Sequence, residues 1–167
     1  LSLALAEVLA GKLLADPRLA LAKESGLDYD TRSRLQVVLD CQKSTPDCYP
    51  SVPPSTFIKN GLQLEESVVL PLSGVANTTV IGCNESGYFS TYRSDEFGFR
   101  NPAYSWQAPG AIDLAFVGDS YTVGDCVNRG VGFVDRLREN HSRVVNLASG
   151  GNGPLFELAT IREYLDN

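Results

Sequence analysis

Apolar and polar positions change rhythm along this chain, and the changes mark out its parts. The opening segment, LSLALAEVLAGKLLADP, is apolar from its first residue, with Glu7 and Lys12 the only charges before Asp16. It is shorter than the roughly 20 apolar residues that span a bilayer. In isolation it reads as an amphipathic helix ended near Pro17. The preferred reading makes residues 1–23 the end of a membrane helix or signal anchor that starts upstream. Residues 28–40 read as a helix, with Leu35, Val38 and Leu39 at helical spacing and Asp30 as N-cap. Pro46, Pro50, Pro53 and Pro54 then interrupt any regular pattern, which predicts an extended, surface-following loop. Short β-type runs follow, SVVLPL, NTTVIGC and GYFSTY, separated by Gly, Asn and Ser. Residues 24–108 thus read as a helical and small β or irregular region. Within it, SDEFGFRNP predicts a turn that lands Phe97 and Phe99 on a neighbouring surface.

The pattern changes at Pro109-Gly110. AIDLAFVG is a nearly continuous apolar run, as expected of a strand buried on both faces of a parallel sheet. GFVDRLREN predicts a helix with Phe133, Val134 and Leu137 on its apolar side. SRVVNLA predicts a second buried strand, and GPLFELATIREYL a second helix with Pro154 in its first turn. Strand, helix, strand, helix is the start of a doubly wound α/β domain over residues 109–167. Two strands and two helices leave a sheet face and edge uncovered. A complete domain of this class needs about three more strands, on the order of 100 further residues, so a truncated domain is expected.

Composition narrows the class. The 167 residues are 43% hydrophobic and 20% charged, values of a packed globular chain. A formal net charge of −6 with no Lys/Arg cluster argues against nucleic acid as a partner. Cys41, Cys48, Cys83 and Cys126 form no CxxC pair, and the single histidine, His141, is far from them, so neither a metal site nor a cofactor is expected. The even count fits two disulfides, with Cys41–Cys48 the first choice for one, and equally four buried free thiols.

Chemistry concentrates where the two buried strands end, because ligands of such sheets gather at the carboxyl ends of the strands. Gly118-Asp119-Ser120 follows the first strand and Ser149-Gly150-Gly151-Asn152-Gly153 the second. A serine hydroxyl together with free backbone N–H groups is what acyl transfer requires: a nucleophile and donors for an oxyanion. The bland alternative is that Ser120 caps a helix and the glycines close tight loops. GxGxxG, GxxxxGK[ST] and GxSxG are all absent, which removes the common nucleotide loops and the α/β-hydrolase elbow.

Taken together, FVGDSYTVG and VVNLASGGNGP resemble blocks I and II of the SGNH/GDSL hydrolase superfamily. YRSDEFGFRNP looks like the lead-in of a bacterial, membrane-anchored branch of it. The resemblance is best over residues 88–165 and implies the N-terminal portion of a flavodoxin-like three-layer α/β/α domain. It implies Ser120 as nucleophile and Gly151, placed by its distance from Asn146, as an oxyanion donor. It also implies an extracytoplasmic serine esterase, anchored in the membrane through an N-terminal helix, acting on a small-molecule or polysaccharide ester. The family further needs a block III Asn and an Asp-x-x-His base, and neither motif is in the sequence. His141, in RENHSR at the opposite end of the sheet, reads as a solvated loop residue. As written, the chain is expected to be inactive. The rival readings are a carbohydrate-binding or polysaccharide-assembly scaffold that keeps the fold, and an O-acyltransferase.

Overall fold

The computed structural model describes residues 17–103, 105–107 and 112–165, and its fold is mixed α/β. The anchor reading of residues 1–16 lies outside the described residues. Among those described, no helix is long and apolar enough to cross a membrane. Helix α1 is Pro17–Glu24, so a helix begins at the proline where the sequence suggested a stop. A proline supplies no N–H donor, but it leaves the residues after it free to be helical.

Helix α2 is Arg34–Gln42, and its N-cap is Ser33, not Asp30. Ser33 accepts the Gln36 N–H while the Gln36 side chain accepts the Ser33 N–H, a reciprocal capping box. Asp30 is drawn into its own turn instead: its carboxylate accepts the Arg32 N–H and guanidinium, and these bonds hold its carboxyl below the usual range. Of the three apolar residues at helical spacing, only Val38 is buried, and Leu35 and Leu39 are exposed.

The proline-rich stretch is more ordered than a loop. Strand β1, Cys48–Pro50, lies parallel to β4, Thr79–Asn84, which pairs on its other side with antiparallel β5, Phe89–Arg93. Proline tolerates this because β1 is an edge strand. A 3-10 turn at Pro54–Phe57 follows. Strands β2, Leu62–Gln63, and β3, Val68–Val69, form a separate short hairpin. All four cysteines are bonded. Cys41–Cys48 ties α2 to β1, and Cys83–Cys126 ties β4 to the region of the candidate site.

The third sheet is a parallel pair, β6, Leu114–Phe116, and β7, Val144–Asn146. Between them lie α3, Ser120–Val123, and α4, Phe133–Leu137. After them comes α5, Pro154–Tyr164, with Pro154 in its first turn. All three β7 residues and the following Leu147 and Ala148 are buried. The expectation that β6 is buried on both faces is not met: Leu114 and Phe116 are half-buried and Ala115 is exposed. Among the described residues β6 has one neighbouring strand, and nothing covers the Ala115 face. The core here is Phe99, Val145 and Leu147, with Trp106, Val117, Tyr164 and Leu165 packed around them. Phe97 and Phe99 both meet the Tyr164 ring edge-on. The turn at residues 94–102 thus lands its aromatic pair on α5.

Candidate functional site

β6 ends at Phe116, and the chain turns through Gly118 into α3. Gly118 has φ +153°, and a Cβ there would lie 2.3 Å from Thr122 Oγ1, so no side chain fits. Asp119 is the N-cap of α3, its Oδ1 accepting the Tyr121 N–H at 3.0 Å. Capping therefore falls to Asp119, and Ser120 occupies the first helical position, exposed to solvent. Among the described residues, neither its hydroxyl nor its N–H has a hydrogen-bond partner. Gly124, in the left-handed conformation, ends the helix after a single turn.

The second loop is fastened beside the first. The Leu147 N–H donates to the Phe116 carbonyl at 2.7 Å and the Ser149 N–H to the Gly118 carbonyl at 3.1 Å. The Asn146 side chain bridges the same gap, donating to the Thr122 carbonyl and accepting the Ala148 N–H. Gly151 has φ +72°, and a Cβ on it would stand 2.7 Å from Ser55 Oγ. Its N–H, like that of Ser120, lacks an acceptor among the described residues. The Asp125 carboxylate packs on this loop, with Oδ2 2.9 Å from where a Gly150 Cβ would be. Burial pushes the Asp125 carboxyl above its usual range, against the opposing pull of Arg100 and Arg34. Both polar atoms of the Asn152 side chain are occluded and unpartnered among the described residues.

The lead-in segment braces both loops from below. Asp95, 1% exposed, accepts the Phe97 and Phe99 N–H groups on one oxygen and Asn101 Nδ2 and Trp106 Nε1 on the other. Asn101 passes the connection on, accepting the Asn146 N–H and an Arg138 guanidinium N–H. Arg100 donates to the Gly124 and Val127 carbonyls, lies 5.0 Å from the centre of the Tyr92 ring and 3.8 Å from Asp135. A buried guanidinium with this many partners holds the segment after α3 in one place. Burial lowers the Arg100 pKa and pushes Tyr92 up to about 12.

The two residues singled out in the sequence thus lie on loops that are hydrogen-bonded to one another. Ser55 and Asp125 were not foreseen, because nothing local in the sequence links either to the Gly150–Gly151 loop. His141 is exposed at the opposite end of the β6–β7 pair, just before Arg143, whose carbonyl accepts the Asp113 N–H ahead of β6. It does not approach Ser120. No group of acidic, Cys or His side chains among the described residues could hold a metal ion. Next to the site is a cavity of about 270 Å³, bounded on one side by Val123, Ala148 and Ser149 and on the other by the three-stranded sheet and the 3-10 turn. Neither Ser120 nor Gly151 lines it. Chemically, the arrangement offers the Ser120 hydroxyl and the N–H groups of Ser120 and Gly151, none of them engaged among the described residues, on adjoining segments. Comparison with family models, with curated proteins and with solved structures returns no match.

Proposed function

We propose that this chain carries the nucleophile and oxyanion loops of an SGNH-type serine esterase with a flavodoxin-like domain. The observation that carries the reading is Ser120 itself: Asp119 takes over the cap, and the serine hydroxyl is left exposed with no hydrogen-bond partner among the described residues. Ser120 Oγ attacks the acyl carbonyl, and the Ser120 and Gly151 N–H groups hold the oxyanion. The Oγ–carbon bond forms, the alcohol leaves, and water then releases the acid. A base must take the serine proton, and His141 is at the wrong end of the sheet. On this reading a histidine outside this sequence supplies the base. The two disulfides support an oxidising, extracytoplasmic compartment, with the membrane held through the N-terminal segment.

The test is labelling of the natural full-length chain with a fluorophosphonate, followed by peptide mapping. Modification at Ser120, abolished by Ser120→Ala, is the expected result. Absence of labelling in a folded full-length chain would overturn the reading. The remote position of His141 favours one alternative, a scaffold that binds a carbohydrate ester without cleaving it. That alternative predicts polysaccharide binding that survives Ser120→Ala, with no phosphonate label.

A further inference from the structure

We infer that the cavity beside α3 is the acyl pocket of this site, and that the substrate class is an ester of a medium-length aliphatic acid. The inference rests on the serine-esterase reading above. Continuity with the two loops is the first argument. Val123 stands one helical turn from Ser120, and Ala148 and Ser149 immediately precede Gly150 and Gly151. Facing them across the cavity are Phe57, Leu62 and Val80.

The second argument is the state of the polar groups that reach the cavity. Thr78 is hydrogen-bonded to the Val75 carbonyl and to Ser94. Ser73 donates to the Phe97 carbonyl, and Arg100 to the carbonyls of Gly124 and Val127. A sugar ring placed here would bury hydroxyls against Phe57, Leu62, Val80 and Val123, side chains that cannot receive them, which is costly. A hydrocarbon chain asks for no partners, and each methylene moved into such a lining tightens binding about fourfold. Because a cavity of about 150 Å³ takes a six-carbon ring, one of this size takes roughly six to ten carbons. An acetyl group would leave it almost unused.

The experiment compares labelling rates of the natural full-length chain by p-nitrophenyl ethylphosphonate and p-nitrophenyl octylphosphonate. It is repeated in Ser120→Ala and in two pocket-filling variants, Leu62→Trp and Val75→Trp, at positions that retain solvent exposure. The octyl reagent is expected to label Ser120 at least about tenfold faster than the ethyl reagent. Either filling variant is expected to slow octyl labelling far more than ethyl labelling and so erase the preference. Ser120-dependent labelling with no chain-length preference would overturn the pocket assignment and leave the esterase reading standing. So would a preference that neither filling variant moves. No Ser120-dependent labelling by either reagent would overturn the esterase reading, and the pocket assignment with it.

Discussion

Asp119 accepts the Tyr121 N–H, and this leaves the adjacent Ser120 hydroxyl with no bond to maintain among the described residues. The two side chains should therefore separate cleanly in stability measurements. Asp119→Ala removes a cap and is expected to cost about 1 kcal/mol. Ser120→Ala, at an exposed and unbonded position, is expected to stay within about 0.5 kcal/mol of the parent. Urea midpoints of the two variants decide it; a loss at Ser120 equal to that at Asp119 would return the serine to a structural role. Asp125 gives a second residue-scale prediction. Burial raises its carboxyl above the ordinary 3.8, so the folded chain holds that proton more tightly than the unfolded chain does. Its contribution to stability therefore declines as pH climbs from the ordinary value through the raised one. Asp125→Asn is expected to remove this decline and to be at least as stable as the parent at neutral pH. The difference between the two pH–stability curves isolates the group from Asp30, Asp40 and Asp113, whose lowered carboxyls slope the other way. A variant less stable at neutral pH would mean that attraction to Arg100 outweighs burial.

At the level of elements, the two disulfides do different work. Cys41 and Cys48 are 7 residues apart, and Cys83 and Cys126 are 43 apart. Loop-closure entropy makes the longer bridge worth about 4 kcal/mol and the shorter about 2.5 kcal/mol. The Cys83→Ser/Cys126→Ser pair is expected to lower stability more than the Cys41→Ser/Cys48→Ser pair, as read by denaturant unfolding. Cys126 also has φ +62°, a conformation non-glycine residues rarely adopt. A smaller loss for the long bridge would mean that relaxation of this residue offsets much of the entropy. Element by element, legibility followed range. Helix α5 and strand β7 stood out because period and punctuation are local signals. The α2 cap was misplaced because Asp30 and Ser33 are both competent caps, and only the Gln36 return bond selects between them. β1 was missed because prolines exclude a central strand, while its edge position is set by β4, far along the chain. The site showed the same division. Ser120 and Gly151 were visible as loop residues, but the ties that hold those loops, such as Asn101 to Asn146, span 45 residues and leave no local trace.

For the whole molecule, the parallel pair is the part that faces water least comfortably. Both outer edges of β6 and β7 are unpaired among the described residues, and Ala115 looks out from an open face. Around the site, Tyr121 is 86% exposed and Leu155 83%, with Phe133, Leu158 and Val131 also exposed. An unpaired strand edge is a template for another chain, and clustered apolar side chains beside it add the driving force. The net charge of −6 opposes association only over a Debye length, so salt should weaken that protection. The 167-residue chain by itself is expected to self-associate, more at about 0.5 M salt than at about 0.05 M. Sedimentation velocity across a concentration series, with a hydrophobic dye as second probe, measures this. If Tyr121→Ser and Leu155→Ser together suppress the association, the open α/β face is its seat. If they leave it unchanged, the exposed β2–β3 hairpin, with Val68, Val69 and Leu70, becomes the contact instead. A chain that stays monomeric and binds no dye at high salt would show that this face tolerates water as it stands.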